Sequence, residues 1–211
     1  MNQHKITSMR VHCVFIPARA VHSHGSGDVA GINIALCELL TASGLTGWGE
    51  ASPWPVFTGT LEGNAAALDK YFRPLVIGQD PVKVEPIMLE AERALTGHNE
   101  AKAALETALL DLAGQIAGLS IADLLGGQHR NSIPLSFSVA NPDFEANLEE
   151  VARAWRDGVR LFKLKAGFAD HSFDLMRLER LRGLYGDEMQ LRVDSNQGLP
   201  AFDGIRHIRN L

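Results

Sequence analysis

The chain has 211 residues, 45% of them hydrophobic and 21% charged, a balance that suits an ordered globular protein with one large or two modest cores. Its formal charge of -5 gives no basic footprint, so nucleic acid is excluded as an expected partner. No apolar run approaches the roughly 20 residues that span a bilayer, and Met1-Asn2-Gln3-His4-Lys5 leads into a strand pattern rather than a signal-peptide core; a cytoplasmic protein without a membrane partner is expected.

Residues 5–16 carry β-branched content and loose alternation, which predicts a strand ending at Pro17. The following His22-Ser23-His24-Gly25-Ser26-Gly27-Asp28 reads as a flexible polar loop, either a hairpin connection or a lid. Strands are expected at 32–41 and 45–50, joined by Ala42-Ser43-Gly44, and then a second loop over 51–60 with Trp54, Val56 and Phe57. Cys13 and Cys37 fall in apolar strand runs and are expected to be small buried hydrophobes. From Leu61 the period becomes helical: Ala65, Leu68 and Phe72 share a face, and Pro74 marks the exit. A second helix covers about 84–95. A third, Ala-rich, is expected to be capped by Asn99, with Leu105, Ala108, Leu109 and Leu112 as its apolar stripe and Gly118 as its stop. Residues 1–127 therefore predict an α+β domain.

Beyond the Gly126-Gly127 junction, strands at 133–139, 161–166 and 189–193 alternate with helices at 143–157, 173–185 and 202–211. Such β-α-β-α-β order demands a parallel sheet, so 128–211 reads as a second domain. Residues two apart in a strand face the same way, so Lys163 and Lys165 project together, away from Phe162 and Leu164. Asp194 ends the next strand, and a carboxylate there is a hard oxygen ligand suited to Mg²⁺. In a parallel α/β barrel these strand ends gather on the face where active sites form.

Lys163-Leu164-Lys165 and Asp194-Ser195-Asn196 resemble the Lys-x-Lys and Asp-x-Asn of the second and third barrel strands in the enolase superfamily, within its mandelate racemase and muconate lactonizing enzyme families. The resemblance implies an α+β capping domain followed by the first β/α units of a (β/α)₈ TIM-type barrel. It implies Mg²⁺-dependent abstraction of the proton α to a carboxylate through an enediolate, by a racemase, epimerase or cycloisomerase of a small carboxylic acid or amino-acid derivative. Lys165 would be the acid/base, Lys163 the holder of the substrate carboxylate, Asp194 the first metal ligand, and Asn196 a support for the metal shell or a substrate contact. Trp54, Phe57 and His22, with Val56, His24 and Asp28, would supply specificity from the two N-terminal loops, and Ser136 and Ser138 would line the pocket floor. A homo-oligomer is expected. A barrel alone takes about 250 residues, so a chain with three barrel strands is expected to be part of a longer protein. The alternatives are a binding or assembly module without catalysis and, among enzymes, an acid-sugar or hydroxy-acid dehydratase. A nucleotide-binding α/β protein is disfavoured, because no Gly-x-Gly-x-x-Gly opens a helix.

Overall fold

A computed structural model describes residues 3–24, 27–141 and 143–210, with side chains described outside 20–29 and 210. The chain forms two compact units, Met1–Pro17 with Gly31–His129, and Ala18–Ala30 with Arg130–Leu211.

An N-terminal sheet runs in the order β1 (Ile6–His24), β2 (Gly27–Thr41), β3 (Thr46–Ala51), of which residues 6–17, 31–41 and 46–51 belong to the first unit. The stretch expected to be a loop or lid is thus mostly strand. Pro17 does not end β1, because β1 is the sheet's edge strand, where a missing N–H is tolerated. The side chains of His22, His24 and Asp28 lie outside the described set. In β2 the odd-numbered Ala35, Cys37 and Leu39 are fully buried, as alternation requires, and β3 pairs antiparallel to it from Ala35↔Ala51 to Leu40↔Thr46. Burial pushes the Cys37 thiol up to about 12, whereas Cys13, expected to be buried, is exposed.

Helices cover this sheet. A helical run comprises α1 (Leu61–Ala66), a π-helical segment (Ala67–Phe72) and α2 (Arg73–Val76), so it passes Pro74, which sits in the first turn of α2. It is followed by α3 (Val84–Ala94), α4 (Asn99–Ala117) and α5 (Ile121–Leu124). Asn99 is the first residue of α4 rather than its cap; His98 holds that place with φ 51° and no side-chain capping bond. The stripe Leu105, Ala108, Leu109 and Leu112 is fully buried. Packing of α4 on β3 is close enough that a Cβ at Gly49 would lie 1.8 Å from the Ala104 carbonyl oxygen, and one at Gly47 would lie 2.4 Å from that of Ala108. Only glycine fits at these points of contact.

The second unit holds a parallel sheet, β4 (Ser136–Val139), β5 (Leu161–Lys165) and β6 (Gln190–Asp194), with α6 (Phe144–Arg156), α7 (His171–Tyr185) and α8 (Ala201–Asn210). Asp143 caps α6 by accepting from the N–H groups of Glu145 and Ala146 at 3.0 and 3.3 Å. Phe162 and Leu164 point into the core formed by Val139, Val151, Leu181 and Met189, all buried. Trp155 packs on Tyr185 with ring centroids 4.8 Å apart. Alternation then forces Lys163 and Lys165 onto the other face of the sheet. No helix among the described residues is long and apolar enough to cross a membrane.

Candidate active site

Strand pairing brings the charged groups together. The parallel register aligns Lys165 with Asp194, and Lys163 with Ser138 on one side and Arg192 on the other. Both amines converge on one carboxylate oxygen: Lys165 Nζ stands 2.7 Å from Asp194 Oδ2, and Lys163 Nζ 3.6 Å from it. The two lysines differ in setting. The Lys165 side chain is 8% exposed, while those of Lys163 and Asp194 are 27% and 29% exposed.

Partial burial alone would raise the pKa of Asp194. The hydrogen bond from Lys165, the N–H of Asn196 at 3.1 Å and the charges of Lys165 and Lys163 outweigh it and hold the carboxyl below the usual carboxylate range. It is therefore ionised at neutral pH. Asn196 lies just beyond β6 in the left-handed region, φ 42°, followed by Gln197 at φ 65°. Besides forming this turn, Asn196 accepts a hydrogen bond from Lys165 Nζ through its Oδ1.

Ser138 is on the lysine face beside Lys163, but Ser136 pairs with Leu161. At about 3.3 Å per residue, Ser136 sits roughly 13 Å further down the sheet than Lys165. Trp54 and Phe57 belong to the first unit, stacked with centroids 5.8 Å apart in a turn where Trp54 C=O accepts from the N–H groups of Phe57, Thr58 and Gly59. Val56 is half exposed.

Two further residues support the rim and were not singled out from the sequence. Arg177 and Asp174 on α7 are 0% and 1% exposed and form an ion pair. Burial weighs against the guanidinium charge, Asp174 offsets part of that cost, and the net effect lowers the Arg177 pKa. Their signal in the sequence was an Asp-x-x-Arg spacing, which on a helix most often marks a solvated pair. On the helix side of the sheet, a cavity of about 280 Å³ is lined by residues including Ala166, Val193, His171 and His207, the two imidazoles 4.0 Å apart.

A hard, ionised carboxylate with an amide oxygen nearby suits Mg²⁺, and Asp194 and Asn196 provide these. Among the described residues no group of three or more His, Cys, Asp or Glu is placed to hold a metal ion, so at this rim they offer the Asp194 carboxylate rather than a full shell.

The description "Mandelate racemase / muconate lactonizing enzyme, N-terminal domain" matches residues 7–126, more than half of the chain. The L-Ala-D/L-Glu epimerase of Bacillus subtilis (strain 168) is 31% identical over 80% of this chain and 46% of its own length. The chloromuconate cycloisomerase of Cupriavidus pinatubonensis is 37% identical over 74% of this chain and 43% of its own. Among solved structures, the muconate lactonizing enzyme of Pseudomonas fluorescens complexed with muconolactone superposes with a TM-score of 0.93 at 28% identity, over 99% of this chain and 57% of that one. A dipeptide epimerase of Cytophaga hutchinsonii, complexed with Mg and a dipeptide, gives 0.87 at 25% identity, over 97% of this chain and 55% of that one. The chain spans about half the length of these relatives. With the capping domain matched as a family unit and the first barrel strands superposing on the same enzymes, this chain belongs to the mandelate racemase/muconate lactonizing enzyme family of the enolase superfamily.

Proposed function

We propose that this chain supplies the acid–base lysines and the first metal ligand of an enzyme that abstracts the proton α to a substrate carboxylate, as a racemase, epimerase or cycloisomerase. The observation that carries the reading is the convergence of Lys165 and Lys163 on the Asp194 carboxylate at the end of two parallel strands. Relatives named as epimerase and cycloisomerase support the reaction class.

An α-proton is barely acidic, so removing it demands that a base be held in line and that the electron pair left behind be stabilised as it spreads into the carboxylate. Lys165, the more enclosed amine, removes or delivers the proton on one face of the α-carbon; inversion by a racemase or epimerase also requires a second acid on the opposite face. Lys163, more open and one alternation step away, holds the substrate carboxylate by charge. Mg²⁺ bound by Asp194 would neutralise the second negative charge that the enediolate develops. Asn196 holds Lys165 Nζ in place through its side-chain oxygen. On the strength of the family pattern Ser138, Trp54, Phe57 and His22 contribute to substrate binding, whereas Ser136, level with Leu161, stands too far down the sheet to do so; the substrate is a small carboxylic acid or amino-acid derivative and the assembled form a homo-oligomer.

The test uses the complete protein with Mg²⁺ in D₂O and a set of dipeptides, N-acyl amino acids and muconolactone-type acids, following loss of the α-proton signal by NMR. General acid–base catalysis contributes on the order of 100- to 10,000-fold, so Lys165→Ala lowers the exchange rate by at least about 100-fold. Exchange at the parental rate in that variant removes Lys165 from the chemistry.

A further inference from the structure

The segment by which β5 leaves the sheet, Lys165-Ala166-Gly167, is tied down at every residue. Ala166 N–H donates to the Asp194 carbonyl at 3.1 Å, fixing it to β6. On the opposite side, Arg177 NH2 donates to the Lys165 carbonyl at 2.7 Å, and Gly167 N–H donates to Asp174 Oδ2 at 3.0 Å. Gly167 has φ +79°, which lets the chain turn away directly after the lysine. The guanidinium lies 4.8 and 4.7 Å from the ring centroids of Phe168 and Phe173, so its position is set by two aromatic faces as well as by Asp174.

Stability is a poor account of this pair. Apolar residues of similar volume commonly do as well as a buried ion pair, and here Arg177 Nε and NH1 are buried without a hydrogen-bond partner among the described residues. What the pair does is geometric. It holds the backbone carbonyl of the lysine and the amide two residues on, at the point where the side chain departs for Asp194.

We propose that Arg177 and Asp174 are positioning residues for Lys165: one buried ion pair on α7 clamps the strand exit and thereby sets where the Lys165 amine stands. The inference rests on Lys165 being the acid/base. The lysine side chain is a lever of about 6 Å, so a tilt of about 10° at its base moves the amine by roughly 1 Å, enough to cost on the order of 100-fold in rate.

The test compares the complete wild-type protein with Arg177→Lys, which keeps a cation for Asp174 but loses the fork that reaches the Lys165 carbonyl. Two readouts are taken. In the exchange assay, kcat falls by about 10- to 100-fold while KM for the carboxylate stays within about twofold, because substrate binding does not depend on where the amine stands. In spectra of protein labelled at lysine ¹³Cε, the Lys165 resonance, identified by its loss in Lys165→Ala, shifts, and that of Lys102 in the other unit does not. Parental kcat and an unmoved Lys165 resonance overturn the proposal, as does an equal shift of all lysine signals. If Arg177→Lys does not fold, Asp174→Asn is read in the same way, and failure of both to fold overturns the proposal by assigning the pair to stability. Should Lys165→Ala exchange protons normally, the functional reading falls, while the Lys165 resonance still decides the positioning role.

Discussion

Lys165 and Lys163 share one carboxylate, and they should be bound to it with unequal strength. At an effective dielectric of about 20, pairs at 2.7 and 3.6 Å attract by roughly 6 and 4.6 kcal/mol, so Coulomb attraction favours Lys165 by about 1.5 kcal/mol before desolvation and does not by itself settle the net strengths. Hydrogen bonding and burial do. Lys165 makes a direct charge-assisted hydrogen bond from a side chain only 8% exposed, which is worth about 1.5–3 kcal/mol net. Lys163 is 27% exposed and beyond hydrogen-bond distance, which places it in the range of about 0.2–1 kcal/mol. Two double-mutant cycles, Lys165→Met and Lys163→Met each with Asp194→Ala, measure the couplings by urea unfolding. Trp155 lies in the second unit against Tyr185, so its fluorescence in a Trp48→Phe/Trp54→Phe background reports that unit. The Lys165 coupling should exceed the Lys163 coupling about threefold and respond less to salt. Equal couplings, or a Lys165 value within the range of an exposed pair, would refute the reasoning.

The same carboxylate gives a pH dependence. Because the folded pKa of Asp194 is depressed, its contribution to stability is fully present above the unfolded value, about 3.9, and is lost as pH falls through the folded value. The stability difference between wild type and Asp194→Asn should be flat above about pH 5 and shrink below about pH 4; a difference that grows on acidification contradicts the assignment. In the first unit, Gly49→Ala places a methyl 1.8 Å from a backbone oxygen of α4. Overpacking of that kind costs about 1–3 kcal/mol, seen as a lower urea midpoint, and an unchanged midpoint would mean that α4 moves freely on β3.

The strand–helix alternation of the second unit and the side on which its lysines fall were legible because a two-residue period admits one assignment once Phe162 and Leu164 are placed inside. Asp194 followed from its place at the end of the next strand. Other features resisted. The polar run at 22–28 reads as a loop from composition, yet strand pairing carries β1 and β2 through most of it, because backbone hydrogen bonds do not depend on side-chain polarity. Arg177 and Asp174 look like a surface pair by their spacing, and nothing local states that their face of α7 turns inward.

The order of residues alone set the periods, the breaks at Gly118 and Gly126-Gly127, and the rim on which two amines and an acid arrive. Tertiary structure decided which amine is enclosed, that Asn196 joins the turn to the site, that Ser136 lies far below it, and that a buried guanidinium grips the strand exit. The division has a physical cause. Facing is fixed by neighbours one or two residues along the chain, whereas burial and partnership depend on elements tens of residues away that meet only when the sheet and its helices close together.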